Sequence, residues 1–443
     1  MSPHVRFRYR NAEELLKKAE ELGINLPWQD GIAPLFLRFD ILGQRVPNRL
    51  AVQPMEGCDS TPDGAPDELT FRRYRRFAQG GSGLIWFEAC SVSAAGRSNP
   101  RQLHLTDKTL GAFERLVEMT RAVARDRFGS SSNPYLVLQL THSGRFSKKE
   151  SRAKPKVAYF NPIFDPSPDD VDVYRDEELD AIRDQFVATA TLAQQAGFDA
   201  VDVKACHGYL LHELLSAFTR TDSKYGGGFE CRTRLMLEIV EQIRTFAPRL
   251  ALAVRLNATD GIPYPYGFGV AKSGGAEPDL SEPLRLQQVL MDAGCAVLNV
   301  TAGVPAYTPH IGRPFNRAPR GARPAEIHPL VGVDSLIRWA AVFQKAQPSL
   351  PVVGTGYSWL QRFWPHVGAA VIAQKDACFI GLGRSSFAYP DAPLDLVTRG
   401  KLDPAKCCTA CSRCTELMRN GQVAGCVVRD PSIYKKAYGN IGK

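Results

Sequence analysis

A chain of 443 residues, 44% hydrophobic and 23% charged, has the balance of a globular protein and is long enough for one large barrel with an extension or for two ordinary domains. Its formal net charge of +9 thickens at 145–156 and 313–323, which read as solvated loops or as a landing surface for an anionic substrate or nucleic acid. No apolar run approaches the ~18 residues of a membrane helix, and no hydrophobic stretch follows the basic start, so neither a span nor a secretory leader is expected and the cytoplasm is the expected location.

Residues 11–22 have helical composition and spacing. Segments 35–39 and 44–46, split by Leu42-Gly43, read as a hairpin that would plug the bottom of a barrel. A strand–helix alternation then begins. Strands are expected at 49–53, 84–87, 136–139, 201–203, 250–256, 297–300, from 352, and at 378–380. Helices are expected between them at 67–79, 108–127, 176–196, 230–246, 282–293, 332–346 and 357–368. Eight such units predict an α/β fold, a (β/α)8 TIM barrel with insertions. Segments 145–172, 258–280 and 303–330 each follow a strand and are too long for plain loops, which places them on the catalytic face as lids or substrate loops. The predicted division is an N-terminal segment 1–34, a barrel 35–398 and a Cys-rich tail 399–443.

The fourth strand, 201–203, breaks into Lys204, His207 and Tyr209, three side chains able to hold or move a proton at the end of a buried strand. Arg255 is a charge inside an apolar run, so it must be paired or meet a ligand. Gln139 offers a donor and an acceptor to a heterocycle edge. Gly354, Gly356 and Gly383 would let backbone N–H groups approach a phosphate, on which Arg384 could close. Together these predict a phosphorylated, partly aromatic cofactor across the barrel mouth, and suit a flavin, whose reduced ring carries negative charge that a guanidinium stabilises.

Asn48-Arg49-Leu50-Ala51-Val52-Gln53-Pro54-Met55, the segments 83–96, 139–145 and 197–210, Tyr225-Gly226-Gly227 and Gly383-Arg384, in this order, resemble the Old Yellow Enzyme family of FMN-dependent oxidoreductases over about 35–393. The resemblance implies that Pro54, Met55, Ala89, Gln139 and Arg255 contact the isoalloxazine, with Glu56 at its edge, and that Gly354, Gly356, Gly383 and Arg384 hold the phosphate. It further implies that Lys204 and His207 bind a substrate carbonyl, that Tyr209 donates a proton, and that hydride passes from flavin N5 to an activated alkene. Two residues depart from the family pattern. Lys204 replaces the usual His and suits an oxyanion or carboxylate. Glu56 replaces the usual Thr or Cys, and its charge is expected to be compensated by Lys204.

Of 11 Cys, five fall between Cys407 and Cys426, which argues for metal rather than disulfides. Cys408, Cys411, Cys414 and Cys426 could enclose an iron–sulfur cubane or a tetrahedral zinc. The long members of the family, trimethylamine dehydrogenase and 2,4-dienoyl-CoA reductase, carry a similar tail with a [4Fe–4S] cluster, and the resemblance implies that cluster here. Those members continue into nucleotide-binding domains, for which this sequence has no fingerprint, so an external electron donor is expected, NAD(P)H or a redox protein. The expected substrate is an activated, anionic or neutral small molecule, with amine dehydrogenation as the alternative. Nucleic acid is disfavoured by Tyr209 in this setting, and family analogy implies a homo-oligomer.

Overall fold

The structure, a computed structural model, describes residues 4–148, 154–322 and 325–441. Part of the first basic run, 149–153, and Arg323 of the second lie outside the described residues.

Eight parallel strands close into a barrel: β1 Leu50–Val52, β2 Leu84–Ser91, β3 Tyr135–Thr141, β4 Ala200–Ala205, β5 Ala251–Asn257, β6 Cys295–Thr301, β7 Val352–Gly354 and β8 Phe379–Leu382. Each strand pairs with the next, and β8 closes on β1 with Ile380 opposite Leu50. The connecting helices are α1 Glu68–Gly80, α2 Leu110–Phe128, α3 Asp176–Gln195, α4 Phe229–Phe246, α5 Ser281–Asp292, α6 Pro329–Ala346 and α7 Trp364–Ala373, followed by α8 Ala392–Arg399. This is the predicted (β/α)8 architecture. The strands read as near-continuous apolar runs because both faces of a parallel sheet are covered.

Alternation along each strand sorts the two layers of the core. Ala51, Leu84, Trp86, Val137, Ala253, Val297, Val353 and Phe379 point into the barrel and pack with Ile41 and Val46. Those last two come from the antiparallel hairpin Phe39–Ile41 and Gln44–Val46, the expected bottom plug. The opposite faces, such as Ile85 and Phe87 on β2, meet the helical ring, where Tyr74 of α1 stacks on Phe87 at 3.9 Å between centroids.

The N-terminal helix Ala12–Glu21 forms where expected, with Asn11 Oδ1 accepting from the Glu14 N–H at 2.8 Å. It packs beside α6 and α7 with Tyr9, Leu15, Leu26 and Trp359 in one cluster. The expected seventh helix is displaced: Tyr357–Phe363 is a 3-10 segment broken at Gln361 (φ 50°), and α7 starts only at Trp364. Pro365 sits in its first turn, the one place in a helix where a missing N–H costs nothing. No helix of the described residues is long and apolar enough to cross a membrane.

The tail folds back over the barrel. Its helices Arg413–Arg419 and Pro431–Gly439 enclose a small core of Leu417, Ala424, Val427 and Tyr434. Asp430 accepts from Arg72 and Arg76 of α1, each at 2.7 Å, and buried Glu416 pairs with Arg317 at 2.7 Å. The Ala424 N–H donates to Gly57 O at 2.7 Å, tying the tail to the loop that leaves β1.

Candidate active site

A cavity of about 500 Å³ opens at the carboxyl ends of the strands, within the ~300–1,000 Å³ range of small-molecule sites. Pro54, Met55, Glu56, Ala89, Gln139, Lys204, His207, Tyr209, Arg255, Gly356, Gly383 and Arg384 all line it. Gly354 does not: its missing Cβ points toward Tyr357, Ala340 and Ala377 at 3.0–3.6 Å.

Its floor is a set of amides and charges fixed from below. Gln139 Nε2 donates to Asp202 Oδ2 at 2.6 Å, Trp86 Nε1 donates to the same oxygen at 2.8 Å, and the Arg255 backbone N–H donates to Oδ1 at 2.7 Å. A carboxylate only accepts, so the Gln139 amide nitrogen is held downward and its Oε1 is left for the cavity. Burial pushes the Asp202 carboxyl up to about 6, with the Gln139 and Trp86 donors and then Arg255 opposing. Gln53 and Asn299 exchange both amide bonds, at 3.0 and 2.8 Å. The Arg255 side chain, 8% exposed, makes no hydrogen bond among the described residues, and its Nε is buried without a partner. A buried guanidinium without hydrogen-bond partners is costly even with the Asp202 charge nearby, and an anionic or strongly accepting ligand relieves that cost.

The exit of β4 is strained and pinned. His207 (φ 65°) and Gly208 (φ 81°) both occupy the left-handed region. The Gly208 N–H donates to His212 Nδ1 at 2.9 Å, so the proton of His212 lies on Nε2, 2.7 Å from Asp260 Oδ1. That lock aims His207 and Tyr209 into the cavity. His207 Nε2 lies 3.1 Å from Thr301 Oγ1. Burial, reinforced by Arg255, Lys204 and Arg313, holds the imidazole well below the usual histidine range, so it is neutral at pH 7. The Lys204 Nζ sits 3.4 Å from the centroid of the Tyr209 ring and has no hydrogen-bond or ion-pair partner among the described residues. Burial lowers its proton affinity and Glu56 partly restores it. The Tyr209 hydroxyl is 3.4 Å from Glu56 Oε1, and Ser98 Oγ donates to Glu56 Oε2 at 2.9 Å. Burial and then Glu56 push the Tyr209 phenol well above its ordinary value, so it is a protonated donor. Glu56 and Lys204 therefore do not meet as an ion pair among the described residues; Tyr209 lies between them.

His142 and Arg145, at the end of β3, have structural partners. Arg145 is buried against Asp165 at 2.6 Å and Glu213, with its Nε donating to Glu213 at 2.8 Å. His142 Nδ1 accepts from the Gly144 N–H at 3.2 Å.

Arg313, Thr301, Ser358 and the tail residues Thr415, Met418 and Arg419 also line the cavity, and sequence reasoning did not single them out. Arg313 came closest to being found, as the start of the second basic run. Its Nη1 donates to Thr415 Oγ1 at 3.1 Å, and burial together with Arg384 and Arg419 pushes it down to about 10. Among the described residues seven Lys and Arg side chains line the cavity against one carboxylate, Glu56.

These residues fit FMN. Gln139 and the unpartnered Arg255 would hold the ring edge, and Arg384, already anchored to Pro314 O at 2.6 Å, would meet the phosphate. A side chain at Gly381 would come 2.1 Å from Gln53 Nε2, and one at Gly356 (φ 102°) 2.8 Å from Leu336. The backbone there needs the space.

Beside the cavity lies a second one, of about 20 Å³, lined by Cys408, Cys411, Cys414 and Cys426, with Arg384 in both walls. Cys407 is outside it, with its Sγ directed to Asp403 O at 3.4 Å. Burial pushes the Cys408, Cys414 and Cys426 thiols up to about 11. Four thiols with no carboxylate or imidazole beside them are a donor set common to iron–sulfur and zinc sites. Among the described residues no group of three or more His, Cys, Asp or Glu side chains is drawn together to hold a single metal ion.

Comparison with known proteins gives four findings. Residues 34–266 match the NADH:flavin oxidoreductase / NADH oxidase family. An NADH:flavin oxidoreductase of Gibberella zeae is 31% identical over 62% of this chain and 68% of its own length. An NADH oxidase of Thermoanaerobacter brockii is 26% identical over 82% of this chain but 50% of its own length, so the chain spans about half of that longer relative. Among solved structures, a 2-naphthoyl-CoA reductase in complex with 2-naphthoyl-CoA superposes with a TM-score of 0.72 at 20% identity, over 93% of this chain and 58% of that one, a likeness of fold.

Proposed function

The chain belongs to the NADH:flavin oxidoreductase / NADH oxidase family of FMN enzymes, and from that premise we propose that it reduces an activated, anionic alkene, an α,β-unsaturated carboxylate or carbonyl compound, at the mouth of the barrel. The observation that carries the reading is the convergence of Lys204, His207 and Tyr209 on the cavity into which the unpartnered Arg255 faces. When bound, FMN supplies the hydride. The chain's own residues do the rest. Lys204 and His207 receive the substrate oxygen, where negative charge grows during reaction, and a buried ammonium with no other partner stabilises that charge more than an imidazole would. Tyr209 gives its phenolic proton to the α carbon. The high proton affinity imposed by burial and Glu56 keeps that proton available at neutral pH.

The charge of the wall supports an anionic substrate. Arg145 is neutralised by Asp165 and Glu213, and Arg255 and Arg384 suit the cofactor, which leaves Lys204, Arg313, Arg419 and Lys148 facing one carboxylate. The same excess opposes amine dehydrogenation, because a substrate ammonium would enter a field of its own sign. The four-cysteine cavity, sharing Arg384 with the first, supports a [4Fe–4S] cluster that relays electrons from an external donor, NAD(P)H or a redox protein; zinc is the other occupant the donor set allows.

Anaerobically purified protein tests the reading. It is expected to carry one FMN with iron and sulfide, and, once reduced by dithionite, to be reoxidised by crotonate or 2-cyclohexenone. The oxidised form is expected to be untouched by trimethylamine. Bleaching by the amine, or zinc in place of iron, would replace the corresponding part of the proposal.

A further inference from the structure

A buried carboxylate stands beside the proton donor without touching the substrate oxygen in the proposed reaction. Glu56 is 8% exposed and lines the same cavity as the proton donor. Its two oxygens face different partners: Oε1 lies 3.4 Å from the Tyr209 hydroxyl, and Oε2 accepts from Ser98 Oγ at 2.9 Å. Ser98 is half-buried and accepts in turn from Asn99 Nδ2 at 3.3 Å. The carboxylate thus stands between the tyrosine and a polar wall of hydroxyl and amide groups. Lys204, on the ring face of Tyr209, feels the charge of Glu56, which raises its proton affinity. A buried carboxylate is expensive to keep without a cationic partner, and none lies within ion-pair distance of Glu56 among the described residues. Packing does not require an acid at this point, since an amide of the same size could accept from Tyr209 and donate to Ser98 Oγ.

Resting on the proposed reduction at Tyr209, we propose that Glu56 is the conduit through which Tyr209 regains its proton after each turnover, a positioning and relay residue that acts through the tyrosine. In the reduction the Tyr209 O–H bond breaks as the α C–H bond forms, while the hydride from reduced FMN makes the β C–H bond. A proton from water on the Ser98 side adds to a Glu56 carboxylate oxygen, and the phenolate left behind takes that proton, which restores the carboxylate. One hydride and one proton are consumed per alkene, and the proton comes from solvent by way of Glu56.

Glu56→Gln keeps the size and shape of the side chain and removes the group that exchanges protons. The probe is 2-cyclohexenone, and the measurements are the first reoxidation of dithionite-reduced holoenzyme and multiple turnover driven by reduced methyl viologen. The loss is expected to fall on multiple turnover, by about a hundredfold. The first reoxidation, which uses the proton already on Tyr209, is expected to slow far less. The solvent isotope effect on multiple turnover should grow, and acetate should restore part of the rate. The phenol of Tyr209, followed by 13C-tyrosine NMR and identified with Tyr209→Phe, should also ionise at lower pH in the Gln variant. Equal loss in both phases, or loss in neither, overturns the relay, as does an unchanged isotope effect. If the Gln variant loses FMN, Glu56→Asp and Ser98→Ala decide: the shortened acid must retain acetate-insensitive turnover above that of Ser98→Ala, and the reverse order overturns the proposal. Wild-type protein that holds FMN yet is reoxidised by neither crotonate nor 2-cyclohexenone overturns the parent reading instead.

Discussion

Asp202 is wholly buried beneath the cofactor cavity and accepts from Gln139, Trp86 and the Arg255 backbone. Three donors favour its charged form, yet burial outweighs them and pushes the carboxyl up to about 6. Because that value lies above the unfolded one, the stability linked to this group is fully present below about pH 3.9 and is lost as pH rises through about 6. A gap of about 2 in pKa corresponds to ~3 kcal/mol. Asp202→Asn cannot ionise, so the wild type should lose ~3 kcal/mol relative to the variant between pH 3.5 and 7.5, as measured by urea unfolding of both proteins. A wild-type-minus-variant difference that stays flat across that range would remove Asp202 from the account. The residue also marks how far the sequence can be read at this scale. Arg255 and Gln139 stood out because each is polar in an apolar run, and the structure lines one cavity with both. Asp202 is polar inside an apolar run in the same way but reads in the sequence only as part of the buried strand 201–203, because its side-chain donors lie 116 and 63 residues away along the chain. Arg145 shows the rule's other outcome: a polar residue at a strand end that is spent on Asp165 and Glu213.

At the scale of elements, the eight strands and their helices were legible because each strand is an apolar run bounded by glycine or a polar turn, and each helix carries its own periodicity. The segment 357–368 misled for a physical reason. Its apolar content is helical, but Gly356 and Gln361 both take positive φ and Pro365 fixes the start of α7 late. The docking of the tail was not legible at all. It depends on charges that find each other over long separations, Arg72 and Arg76 with Asp430, and Arg317 with Glu416. The first pair of contacts makes a specific prediction. Asp430 is 7% exposed at its side chain, and its two arginines are 35% and 30% exposed. Partly solvated partners soften the loss, so Asp430→Ala should cost ~1–3 kcal/mol, locally, rather than the ~3–5 kcal/mol of a fully buried pair. Hydrogen exchange should show faster opening of 413–439 with the protection of β1 to β8 retained. A uniform rise across the barrel would mean that the tail and barrel unfold as one unit.

At the scale of the whole molecule, two cavities share a wall. Arg384 follows β8, lines the larger cavity, and also lines the one formed by the four cysteines. The tail helix Arg413–Arg419 contributes Cys414 to the small cavity and Thr415, Met418 and Arg419 to the large one. An element that serves both sites makes the tail part of the catalytic face, whatever occupies the cysteines. The proposed relay of electrons from a donor through that site to FMN then separates two properties that would otherwise change together. Cys411→Ser removes one thiol from a half-exposed position without touching the wall of the larger cavity. If the cysteine site carries electrons, this variant should keep FMN and its reoxidation by 2-cyclohexenone after chemical reduction. It should lose iron and sulfide, and lose at least about tenfold of the rate supported by a one-electron donor such as reduced methyl viologen, a rise of ~1.4 kcal/mol or more in the barrier. Cys407→Ser, one residue outside the cavity wall, is the matched control and should lose neither. Equal iron loss in the two variants would move the ligand set by one residue, and full donor-driven turnover in the iron-free Cys411→Ser protein would show that electrons reach the flavin by another route.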